Sequence, residues 1–133
     1  MSLPAGHPGA LQDRAMDAPD LAAVLERTDV DQLGFGVIGF DADCIVRVYN
    51  KHESAAAGLL PERVLGHHLF ESVAPCMNNF LVAQRFEDAA AASSALDDTI
   101  AYVLTLRMRP TPVRLRLLAD PALRWRYVLV QRG

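Results

Sequence analysis

The sequence predicts an α+β domain: a five-stranded antiparallel sheet with short helices on one face and an N-terminal helical cap. Three observations predict it. Two apolar, β-rich runs, Gly34 to Phe40 and Cys44 to Tyr49, are separated only by Asp41-Ala42-Asp43, the length of a hairpin turn. Short helical segments follow. Three runs with apolar–polar alternation then close the chain, at Thr99 to Met108, Val113 to Leu118 and Trp125 to Val130. Strands joined this closely form a meander beside the hairpin.

Taken in order, Met1 to Pro19 holds Pro4, Gly6, Pro8, Gly9 and Pro19 and predicts a flexible lead-in with one short turn of helix around Leu11 to Met16. Asp20 is placed to cap a second helix, with Leu21, Val24 and Leu25 at helical spacing. Residues 1–30 are therefore assigned to the cap and 31–133 to the domain. After the hairpin, Asn50 caps a helix with Glu53 three residues on, the capping-box pattern; Ala55 to Ala57 favour helix and Gly58 ends it. Pro61 to Gly66 is one further turn, proline first and glycine last. Phe70 to Cys76 contains Pro75 and reads as a loop. Asn78 to Ala92 is the longest helix candidate, with Phe80, Leu81 and Ala83 on its apolar stripe. Pro110, Pro112 and Asp120-Pro121 bound the last links.

Composition narrows the function. A chain of 133 residues with 51% hydrophobic and 22% charged residues suits one globular domain with its own core. A net charge of −3 lacks the basic footprint of a nucleic-acid binder. No apolar run approaches the ~20 residues that span a bilayer, and the start lacks the order of a secretion signal. A cytoplasmic protein with no membrane and no nucleic-acid partner is the expectation. The two cysteines, Cys44 and Cys76, form no CxxC pair, so no metal site is expected.

Particular residues then resemble a known family. Val73-Ala74-Pro75-Cys76 is similar to the chromophore-attachment segment of the photoactive yellow protein family, within the PAS superfamily. Val48-Tyr49-Asn50 followed by Glu53 resembles its chromophore-binding strand end and helix, and the interval from Tyr49 to Cys76 matches without a gap. Val64, Gly66, Phe70 and Phe86 fall in register, and Met108-x-Pro110-Thr111-x-Val113 resembles the next strand pair. The similarity runs from about Leu33 to the end. It implies the PAS fold and a blue-light photoreceptor that binds p-coumaric acid (4-hydroxycinnamic acid) as a thioester on Cys76. It further implies hydrogen bonds to the chromophore phenolate from Tyr49 and from a protonated Glu53, which gives up its proton after photoisomerisation.

The chemistry of these residues is compatible. A cysteine just before a helix starting near Asn78 would gain thiolate character from the helix N-terminus, and thiolate is the form that attacks an activated acyl group. A carboxyl group donates a hydrogen bond only when protonated, which burial favours. The bland alternatives are a core thiol at Cys76 and an exposed cap residue at Glu53, and the family register favours the functional reading of both. The chain also departs from the family. Ala57 stands where the family has a threonine supporting the tyrosine, and Leu59 where it commonly has an arginine lid. Leu69, Leu104 and Leu106 replace aromatic residues. The resemblance implies a pocket of Ala57, Leu59, Phe70, Pro75, Leu104, Leu106 and Met108.

Other residues carry less. His67-His68 has no completing ligands and reads as a solvated loop. Arg107, Arg109, Arg114, Arg116, Arg124 and Arg126 alternate along the last strands and read as the solvent face of the sheet, with a homodimer or partner face there as the alternative. The downstream signalling protein is unknown from the residues. Two other functions compete: a PAS sensor or dimerisation module binding another small molecule or none, and an enzyme using Cys76 as nucleophile. The latter ranks last because no histidine is identifiably paired to Cys76.

Overall fold

The computed structural model describes residues 16–105 and 109–132. The short helix expected around Leu11 to Met16, and the pocket candidates Leu106 and Met108, lie wholly or largely outside them. Five strands form one antiparallel sheet: β1 (Gly36–Phe40), β2 (Val46–Tyr49), β3 (Leu96–Leu104), β4 (Thr111–Ala119) and β5 (Arg126–Arg132), in the order β2-β1-β5-β4-β3. β5, the last strand of the meander, joins it to the hairpin, pairing Val130 with Gly36 on one side and with Leu115 on the other. This is the α+β architecture the strand pattern predicts. Pro112 sits at the second position of β4, before its ladder to β5 begins at Val113, where its missing N–H costs least.

Both faces of the sheet are covered. On one, Ile38, Leu115, Leu117, Val128 and Val130 pack with Phe40, Phe70 and Phe86, beneath α2 (Lys51–Ala57), α3 (Pro61–Val64) and α4 (Ala83–Ala91). On the other, Val37, Leu118, Tyr127 and Leu129 pack with Met16, Leu21 and Leu25 of the N-terminal segment, which contains α1 (Leu21–Arg27). Hence β4 is buried on both faces from Leu115 to Ala119 instead of alternating with solvent. The expected solvent face holds for Arg109 and Arg124, which are exposed, and is corrected at Arg116. Arg116 is 6% exposed and donates to the carbonyls of Met16 and Ala18 and, through two nitrogens, to Asp97. Arg114 pairs with Asp17. The helices expected on one face thus acquire a counterpart on the other.

Local boundaries follow capping chemistry. Asp20 stands at the N-cap of α1, but its side chain makes no cap bond. Asn50 does cap α2, accepting from the Glu53 amide at 3.0 Å, and Gly58 closes it at φ +70°. The capping box forms only halfway, because the Glu53 side chain goes elsewhere. The segment expected as a loop from Phe70 to Cys76 is wound more tightly: a π turn at Leu69–Val73, a break at Ala74, then a 3₁₀ turn at Pro75–Met77. Pro75 imposes the break, since it lacks an N–H and disfavours helical backbone in the residue before it. The head of this segment lies against β2, with Leu69 N–H donating to Cys44 O and Val46 N–H to His67 O. The longest helix begins at Ala83, not Asn78. Asn79 Oδ1 accepts from the amides of Leu81 and Val82, holding these residues in a turn and leaving Phe80 84% exposed.

Candidate functional site

Tyr49 is the last residue of β2, and Glu53 lies in the first turn of α2. Tyr49 is buried, and its hydroxyl donates to the Leu59 carbonyl at 3.2 Å, an oxygen that also accepts from Ser54 Oγ at 2.8 Å. Burial first, and the negative charge of Glu53 second, push its phenol up to about 12, with Arg132 opposing. Tyr49 is therefore a protonated hydrogen-bond donor at neutral pH.

Glu53 is 1% exposed. The family register, not its helix position, foretold that burial. Both oxygens are held by Arg132: Nη1 donates to Oε1 at 2.7 Å and Nη2 to Oε2 at 3.0 Å. Arg132 ends β5 two residues beyond Val130, and so on the same face, under α2. Glu53 in turn holds the guanidinium's proton more firmly. Gly36 completes the arrangement, since a Cβ there would stand 2.0 Å from Glu53 Oε1. In this arrangement both Glu53 oxygens accept hydrogen bonds from the guanidinium fork.

Asn50 ties this corner to the cap. Its Oδ1 accepts from Val37 N–H and Glu53 N–H, and its Nδ2 donates to the carbonyls of Val30 and Phe35, each at 2.9 to 3.0 Å. It is fully buried, with its amide oxygen and nitrogen both engaged.

Cys76 is half-buried in the 3₁₀ turn and packs against the core cluster that contains Tyr49, Phe70, Ala74, Met77 and Leu104. The helix N-terminus expected beside it is not there, since α4 begins seven residues later. Its turn is held instead through its carbonyl, which accepts from Tyr102 Oη at 2.5 Å and Asn79 Nδ2 at 3.2 Å. Asn79 is thus engaged within the chain. Of the other pocket candidates, Ala57, Phe70 and Leu104 are buried, Leu59 is half-buried and Pro75 is exposed. A cleft of about 560 Å³ opens beside Ala57, Leu104, Thr111 and Arg132.

Arg132, Gly36 and Tyr102 escaped the sequence reading. A signal for the first existed: a buried carboxylate calls for a counter-charge, and Arg132 lies at a face-matched position just past the last predicted strand. A groove of about 730 Å³ lies apart from these residues, lined by Cys44, Phe70, Phe80, Phe86 and Arg126 among others. Cys44 has φ +64°, and burial pushes its thiol up, which makes it a poor nucleophile at neutral pH. His68 serves its own turn, its Nδ1 accepting from the amides of Phe70 and Glu71. Among the described residues no helix is long and apolar enough to cross a membrane.

Comparison with known proteins agrees with this fold. A family model described as PAS fold matches residues 30–130. The photoactive yellow protein of Halochromatium salexigens is 34% identical over 101 residues, 76% of this chain and 80% of that one. That of Rhodothalassium salexigens is 29% identical over the same length and shares. The crystal structure of the photoactive yellow protein domain from the sensor histidine kinase Ppr of Rhodospirillum centenum superposes with a TM-score of 0.75 at 28% identity, covering 84% of this chain and 99% of that one. The PAS domain of Bordetella pertussis BvgS, at 13% identity and a TM-score of 0.54, shares the fold alone.

Proposed function

The chain belongs to the PAS-fold family and, within it, to the photoactive yellow proteins, and on that premise we propose that it is a light-sensing signalling domain carrying p-coumaric acid as a thioester on Cys76. The observation that supports this most is that Cys76 and Tyr49, far apart in sequence, border one buried apolar cluster. A thiol and a phenolic donor facing one apolar interior fit a thioester-linked hydroxycinnamoyl group. Glu53, in the first turn of α2, is the second residue proposed to hold the ring's far end by a hydrogen bond, and the proton of that bond is the one it would give up. When bound, the group supplies visible or near-ultraviolet absorption and an isomerisable double bond.

The chain's own residues do the rest. The Cys76 thiolate displaces the leaving group of an activated acyl donor, forming the C–S bond as that group departs. Tyr102 and Asn79 hold the Cys76 backbone still, so motion generated at the thioester is directed inward. Tyr49 offers its hydroxyl. A change in hydrogen bonding there or at Glu53 strains the first turn of α2, and Asn50 passes that strain to the Val30 carbonyl of the cap. The cap, held to the sheet by Arg116 and Arg114, is the two-state element that such an event biases.

Incubating the protein with activated p-coumaric acid tests the reading. One equivalent of added mass on Cys76, absent in Cys76→Ala, with an absorption that changes under light and recovers in the dark, is expected. A folded protein that takes up no adduct on Cys76 would refute it.

A further inference from the structure

We infer that the exposed turn at Phe80 and the groove beside it form a self-complementary surface, on which two copies of this chain pair about a two-fold axis, each Phe80 entering the groove of the other. The inference does not depend on the light-sensor reading.

Phe80 is 84% exposed and the adjoining Leu81 49%. Adjacent large apolar side chains in solvent, beside an apolar recess, have the composition of an interface core. The turn that carries them is held at several points. Asn79 Oδ1 accepts from the Leu81 and Val82 amides at 3.0 and 3.3 Å, and its Nδ2 donates to the Cys76 carbonyl and to Tyr102 Oη at 3.2 and 2.6 Å. Val82, two residues past the ring, is fully buried and anchors the other end. An aromatic ring presented from such a turn gives up little conformational freedom when it docks.

The recess is the groove of about 730 Å³, which Phe80 itself borders and which Cys44, Phe70, Ala83 and Phe86 also line. Phe70 and Phe86 belong to the core, so its apolar wall is backed by packed side chains and does not have to be assembled on binding. Its volume accommodates an aromatic ring. A protrusion and a recess thus share one patch, which is what an isologous contact uses: across a two-fold axis the knob of each copy meets the hole of the other.

The charges on the rim decide between a second copy and an unrelated partner. Glu71 is already paired with His68. Glu87 and Arg126 remain, both lining the groove. Each acts on Cys44 through its field, and neither forms an ion pair or a side-chain hydrogen bond among the described residues. A rim with one unpaired charge of each sign is complementary to neither a basic nor an acidic partner. It is complementary to its own copy, in which Glu87 of one chain faces Arg126 of the other, and the pairing occurs twice.

Sedimentation of the protein from about 10 µM to about 1 mM tests this. The mass is expected to rise from that of one chain toward that of two. Phe80→Glu, at a site outside the core, is expected to raise the dimer dissociation constant at least about tenfold with an unchanged circular dichroism spectrum. Glu87→Arg and Arg126→Glu are each expected to weaken association severalfold, and the two together to restore most of it, because the reversed charges again meet their opposites. A protein that stays monomeric at about 1 mM overturns the inference. So does a dimer indifferent to Phe80→Glu, or one that the double reversal fails to recover. Where Arg126→Glu alone does not fold, Phe80→Glu and Phe80→Ala decide the question.

Discussion

Replacing Gly36 by alanine places a Cβ 2.0 Å from Glu53 Oε1, 3.0 Å from Glu53 Cδ and 3.2 Å from Val130 Cβ. The end of a flexible side chain ordinarily swings away from such a clash, but Oε1 is tethered at 2.7 Å to Arg132 Nη1. Glu53 must give way by about 1 Å, enough to break a bond of that length, and the carboxylate stays buried while it loses part of its partner. A charge-assisted hydrogen bond contributes about 1.5–3 kcal/mol, and disrupting a buried pair costs about 3–5 kcal/mol. The expected cost of Gly36→Ala is therefore about 3 kcal/mol. In a Glu53→Ala background the obstruction is gone, and the same substitution costs less than about 1 kcal/mol, since only the Val130 contact remains and alanine restricts the unfolded chain. Urea unfolding of the four proteins of this double-mutant cycle measures the difference. An equal cost of Gly36→Ala in both backgrounds would falsify the claim that the glycine exists to seat the ion pair.

Further outcomes follow from the same structure. Asn50→Ala removes the α2 cap and leaves the Val37 amide and the Phe35 carbonyl without their partner, so a loss of about 3 kcal/mol in denaturant unfolding is expected; a loss under about 1 kcal/mol would contradict the hub role of this side chain. Arg116→Ala frees the carbonyls of Met16 and Ala18, and hydrogen exchange should accelerate across the cap while β1 and β5 keep their protection. Phe86, at 2% exposure and edge-on to Phe40, should cost about 3–5 kcal/mol on truncation to alanine, whereas Phe80→Ala should stay within about 0.5 kcal/mol. Stability should fall as pH rises above about 10: burial raises the phenols of both Tyr49 and Tyr127, so the folded state keeps protons there that the unfolded chain gives up. An unfolding midpoint that does not change between about pH 9 and 11 would count against the burial of both rings.

Much of the scaffold was legible because its signals are local. Val113, Leu115 and Leu117 alternate with arginines at period two, and the Asp41-Ala42-Asp43 turn is too short for anything but a hairpin. Asn50 and Gly58 bracket α2 by capping chemistry that acts over one turn. The start of α4 was misread for a related reason. Phe80 and Leu81 fit the apolar period, but the Asn79 side chain competes for the amides a helix would use, and that competition is invisible to a hydrophobic count. The arginines of β4 were placed on a solvent face because alternation does not reveal whether a second layer covers the polar side; the N-terminal segment does. The site was legible only through resemblance. Tyr49 and Cys76 came with the family's spacing, and so did the burial of Glu53. Its partner did not, since Arg132 lies 79 residues away and meets it where α2 packs over β5. No periodicity links residues so distant, and only the requirement that a buried charge be paired points from one to the other.

The most direct test of the light-sensor account is intact and peptide mass analysis, with a light-minus-dark absorption spectrum, of the protein after exposure to activated p-coumaric acid. The account predicts a single coumaroyl adduct on Cys76, none on Cys44, and an absorption change that light drives and darkness reverses. A well-folded protein with Cys76 unmodified, or an adduct whose absorption does not respond to light, would contradict it.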